Sequence, residues 1–111
     1  MIAVSVGLSP DNLVRDLHCT GHAGFAIKGS DIVCAAFTLM LRTFVRTCES
    51  SPEARFRVLV DSGGEFKLQL DEAPRNDSFK GVCWFFLRGL DDLSRDFPRQ
   101  ITISYQETLE R

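Results

Sequence analysis

A histidine and a cysteine, His22 and Cys34, stand twelve positions apart, in Gly21-His22-Ala23-Gly24 and Asp31-Ile32-Val33-Cys34-Ala35-Ala36. The chemistry open to such a pair is nucleophilic attack, because only the thiolate attacks and a neighbouring imidazolium favours the thiolate. Gly21 and Gly24 flank the histidine and adopt backbone angles that other residues resist, which lets a loop pass close to a bound peptide. Asp31 has two uses: it can orient His22 as the third member of a triad, or act as a first-turn acid that helps a helix start. Thr38 follows Cys34 by four positions, one helical turn on and on the same face. Its hydroxyl can meet the thiol or a substrate backbone, or bond back to the helix carbonyls.

Each residue also has a plainer reading. Ile32, Val33, Ala35 and Ala36 surround Cys34, and free cysteine is commonly a core residue, so by residue type alone a buried structural thiol is the commoner outcome. A surface histidine without a role is the alternative for His22. Cys19, His22 and Cys34, with His18 adjacent, contain the ligand types of a tetrahedral metal site. However, no second closely spaced pair accompanies them, and His18 and Cys19 would alternate in direction along a strand. Neither a metal nor another cofactor is expected.

These residues must be positioned by a small fold. The chain has 111 residues, 44% hydrophobic and 25% charged, and is expected to form one domain over 1–111 with a single modest core. A net charge of -2 and scattered basic residues argue against a nucleic-acid partner. The start, Met1-Ile2-Ala3-Val4-Ser5-Val6, lacks the features of a signal peptide, and the longest apolar run, Ile32 to Leu41, is too short to span a bilayer. A soluble, cytoplasmic protein with no membrane partner is expected. Its four cysteines (Cys19, Cys34, Cys48, Cys83) are then thiols and not disulfides.

Alternation of Ile2, Val4 and Val6 predicts a first strand, Ser9-Pro10-Asp11-Asn12 a turn, and Leu13 to Cys19 a second strand. Gly21 to Gly29 reads as a loop. Ser30 can cap a helix that starts near Asp31, with Cys34 in its first turn, and that ends about Cys48 before Ser50, Ser51 and Pro52. Phe56, Val58 and Val60 predict a third strand, Asp61 to Gly64 a tight connection, and Phe66, Leu68 and Leu70 a fourth strand. Pro74 to Asp77 opens a second helix, whose Phe79, Val82, Cys83, Phe86, Leu87, Leu90 and Leu93 keep the spacing of one buried face. Phe97-Pro98 ends it, and Ile101, Ile103 and Tyr105 form a last strand. The order ββαββαβ predicts an α+β, two-layer fold: a mixed five-stranded sheet with two helices on one face.

The sixteen positions from Gly21 to Ala36, Gly-His-Ala-Gly-Phe-Ala-x-x-Gly-x-Asp-Ile-Val-Cys-Ala-Ala, closely resemble the signature of the bacterial ribosomal-processing cysteine protease family. The chain departs from that pattern at Ile27, Phe37 and Thr38. The resemblance implies that Cys34 is the nucleophile and His22 the base, with Asp31 at an acidic family position. Gly21, Gly24 and Thr38 then border the substrate. It further implies removal of a short N-terminal extension from a large-subunit ribosomal protein, recognition of paired aromatic residues near the cut, a homodimer, and no cofactor. The alternative is a non-catalytic, ribosome-associated interaction protein that uses the glycine loop to bind. Cys19, Cys48 and Cys83 match no family motif and are read as structural.

Overall fold

Ile2, Val4 and Val6 are buried while Ala3 and Ser5 are not, so the first strand turns one face to a core. The computed structural model describes residues 1–21, 28–61 and 64–107, with the backbone alone for residues 28–31. Its elements are β1 (Ile2–Leu8), β2 (Val14–Thr20), α1 (Lys28–Glu49), β3 (Arg55–Val60), β4 (Phe66–Glu72), α2 (Asp77–Asp96) and β5 (Ile101–Glu107). This is the predicted ββαββαβ order in an α+β fold.

The five strands form one mixed sheet in the order β3-β4-β2-β1-β5. β1 pairs antiparallel with β2 and parallel with β5, while β4 pairs antiparallel with both β2 and β3. It follows that β2 and β3 run parallel, as do β4 and β5. Each helix is therefore a crossover, α1 from β2 to β3 and α2 from β4 to β5, which a parallel pair requires.

The β1–β2 turn shows why Ser9 to Asn12 turns. The Ser9 hydroxyl donates to Asp11 and accepts from the Leu13 N–H, and Asn12 sits at a φ of 63°. Asparagine tolerates that left-handed conformation better than most residues. α2 begins where the Asn76 side chain accepts the Phe79 N–H at 2.8 Å, a side-chain cap for a donor that the helix itself leaves unpaired. Its last turn closes with the Phe97 N–H donating to the Leu93 carbonyl, and Pro98 follows. At the end of α1, the Ser50 and Ser51 hydroxyls both donate to the Thr47 carbonyl and draw the chain out of the helix.

Both helices lie on one face of the sheet. Val33, Phe37, Phe44 and Cys48 of α1 join Phe79, Cys83, Phe86, Leu90 and Leu93 of α2 and the inward residues of β1, β2 and β4 in one cluster. Phe44 is the join between the helices, stacked on Phe86 with ring centroids 4.5 Å apart and tilted against Phe79 at 6.3 Å. Among the described residues, no helix is long and apolar enough to cross a membrane.

α1 starts earlier than the sequence reading placed it. The helix already includes Lys28, Gly29 and Ser30, so Ser30 is not its N-cap. A glycine inside a helix costs roughly 1 kcal/mol relative to alanine, which favours a start after Gly29 on propensity alone. The extra turn offsets that cost, because the carbonyls of residues 28–30 then accept the N–H groups of residues 32–34.

Candidate active site

The earlier start moves Cys34. It stands six positions beyond Lys28, in the second turn of α1 and not the first. Its own N–H is thereby paired within the helix, and the macrodipole, which acts mainly in the first turn, does little for its thiolate. Asp31 falls within the opening turn of α1. His22 and Gly24, and the side chain of Asp31, lie outside the described residues.

Gly21 closes the exit from β2. Its φ is +70°, and a Cβ there would lie 2.2 Å from the Met1 carbonyl oxygen. Both facts demand glycine at this position. Thr38 is exposed on α1, one turn beyond Cys34.

The four cysteines are all free, and they divide by environment. Cys19, Cys48 and Cys83 are buried, whereas Cys34 is half-buried at the margin of the core. Loss of hydration pushes the Cys19 thiol up to about 12 and the Cys48 thiol up to about 11, the latter helped by the nearby Cys83 and Glu49. Burial also raises Cys83, against a backbone hydrogen bond from Val14 that lowers it. Three of the thiols are therefore held protonated at neutral pH, and protonated thiols are poor nucleophiles. Iodoacetamide at pH 7.5 is expected to modify Cys34 first in the folded protein, with the other three reacting only after denaturation. Peptide mapping of the labelled chain checks this, and equal labelling of Cys19 or Cys48 would contradict it.

Of the metal-ligand types in this region, His18 and Cys19 face opposite sides of the sheet, and His22 lies outside the described residues. Cys19 turns into the core beneath the helices, while His18 beside it points to the opposite face of the sheet and pairs with Glu65. Adjacent residues of a strand cannot converge on one ion. Among the described residues there is no group of three or more histidine, cysteine or acidic side chains able to hold a metal. The His18–Glu65 pair joins residues 47 positions apart, and nothing in the spacing announces it.

Phe66 and Val60 were expected only as strand positions, because alternation does not distinguish a central strand from an edge. Strand order places β3 at the edge, with Val60 paired to Phe66.

With this arrangement, comparison with known proteins defines the class as cysteine protease: the family model described as Cysteine protease Prp matches residues 1–102. The chain belongs to the Prp family. A curated ribosomal processing cysteine protease Prp from Staphylococcus aureus is 24% identical over 110 residues, spanning 96% of this chain and 100% of the relative. The crystal structure of the S. aureus protease with a covalently linked product peptide is similar at a TM-score of 0.78 and 25% identity, covering 96% of this chain and 100% of that one. A Streptococcus mutans protein shares the fold with a TM-score of 0.83 at 24% identity, covering 97% of this chain and 96% of that one.

Proposed function

We propose that this protein, acting as one domain over residues 1–111, removes a short N-terminal extension from a large-subunit ribosomal protein, with Cys34 as nucleophile and His22 as its base. The observation that carries the reading is that Cys34, inside the family-matched region, is alone among the four cysteines in reaching solvent. The curated S. aureus relative, a ribosomal processing protease by name, supports the substrate class.

The steps follow from the residues. The Cys34 sulfur forms a bond to the scissile carbonyl carbon, and the carbonyl π electrons move to oxygen. Backbone N–H groups at the start of α1 hold that oxyanion. Collapse expels the amine, which takes the proton held by His22, and leaves a thioester. His22 then accepts a proton from water as the hydroxyl adds to the thioester, and the acid and the Cys34 thiolate are released. Since the helix dipole adds little in the second turn, the imidazolium of His22 supplies most of the stabilisation of the thiolate. Asp31 orients His22, Gly21 and Gly24 let the loop pass over the peptide, and Thr38 meets the substrate backbone. The working form is a cytoplasmic homodimer.

The test is direct. Purified protein is incubated with the host ribosomal protein bearing its extension, and the new N-terminus is read by mass spectrometry. A single cut near the N-terminus is expected. Stable binding without cleavage would overturn the reading in favour of an interaction protein.

A further inference from the structure

β2 ends at Thr20, and His22 follows two positions further along the chain. The two neighbouring strands hold that end differently. On the β1 side the ladder runs on to Ala3 opposite Thr20, and Gly21 then lies against the Met1 carbonyl. On the β4 side the last registered pair among the described residues is Cys19 with Phe66. A side-chain bond extends the hold there. Glu65, one position outside that last pair, binds the imidazole of His18, one position inside it. The brace crosses the end of the ladder diagonally, on the face of the sheet away from the helices.

Glu65 is a fixed anchor for that bond. Its N–H donates to the Asp61 carboxylate at 2.9 Å, and its carbonyl accepts the Asp61 N–H at 3.0 Å. Gly64, at a φ of 88°, donates to the Asp61 carbonyl at 3.2 Å and closes the same turn. The Glu65 carboxylate selects the imidazole form with a proton on Nε2, and that N–H donates to it whether or not the ring is charged. The His18 and Glu65 side chains are 42% and 37% exposed. A pair that exposed adds little to global stability, so its effect is local: it keeps the last residues of β2 from fraying.

We propose that His18 and Glu65 are positioning residues for the reaction: their brace fixes the end of β2, and with it the point from which the chain presents His22 to Cys34. This rests on the reading of His22 as the base. A strand end that opens part of the time moves the root of the segment that follows it. A displacement of about 1 Å at a catalytic group costs as much as 10²-fold in rate, so a brace at that root acts on the chemical step. The sheet carries a second pair of related chemistry that lacks this placement. Arg57 donates through Nε and Nη2 to the two carboxylate oxygens of Asp71, both at 3.1 Å, at the other end of β4.

The experiment uses the full chain and a synthetic peptide spanning the start of the host ribosomal protein. His18→Ala and Glu65→Ala are each expected to lower kcat by about five- to ten-fold with KM unchanged. The double variant should be no slower than either single one, because the two residues act as one brace. Glu65→Gln keeps an oxygen for the Nε2–H and should stay within about two-fold of wild type. Arg57→Ala should cleave like wild type. Alkylation of Cys34 by iodoacetamide at pH 7.5 should slow in His18→Ala and Glu65→Ala, since the thiolate then has its imidazolium partner for less of the time. Amide hydrogen exchange at Thr20 and Gly21 should quicken in the same two variants, with melting temperatures close to wild type. If both alanine variants cleave and alkylate like wild type, or if Arg57→Ala or Glu65→Gln loses as much as they do, the positioning role is overturned while the protease reading stands. A wild type that does not cleave the peptide overturns the protease reading and this role with it.

Discussion

Cys34→Ala is expected to reduce cleavage by about 10⁴-fold or more, since removing the nucleophile of a cooperating pair removes the whole covalent route and leaves only binding. The fold should be untouched. Cys34 is half-buried at the core margin of α1, and alanine is the best helix former, so the melting temperature should stay close to that of wild type. His22→Ala should cause a comparable loss, with one further signature. Alkylation of Cys34 near neutral pH should slow in that variant, because the thiolate loses its imidazolium partner. A Cys34→Ala protein that processes its substrate at the wild-type rate would refute the assignment.

Phe44→Ala should unfold the protein far more readily, with no direct effect on chemistry. Phe44 is 2% exposed and stacks on Phe86 at 4.5 Å, so truncation opens a cavity where α1 meets α2. The expected loss is about 3–5 kcal/mol, a large part of the total stability of a domain this size. At roughly 4 °C per kcal/mol, the melting temperature should fall by about 12–20 °C, read by thermal circular dichroism. Phe85→Ala is the control: it neighbours Phe86 in the sequence but is 76% exposed, and its loss should stay within about 0.5 kcal/mol. Similar losses for the two variants would mean that the helices do not pack through Phe44.

Alternation in β1, β3 and β4 and the three-four spacing in α2 made the elements legible, because those periods reflect one face in the core and one in water. Turn and cap chemistry was equally plain at Ser9 to Asn12 and at Pro98. The start of α1 was not, since Gly29 argues locally against a helix and only the hydrogen bonds of an added turn argue for it. That difference moved Cys34 from the first turn to the second, where the helix dipole does little for a thiolate. Likewise, Tyr105 shares the alternation of Ile101 and Ile103 yet is exposed, because β5 is an edge strand near its end.

The sequence by itself determined the order of the elements, the buried faces of the strands and of α2, and the His22–Cys34 block with its family. These are local patterns, set by periods of two to four residues and by a contiguous motif. Only the tertiary structure decided which strands are edges and which thiols are desolvated. Those properties depend on which distant segments lie side by side, and β4 comes between β3 and β2 only through the crossover that α1 makes. No local period encodes that neighbourhood, and it is what leaves one thiol of four open to solvent.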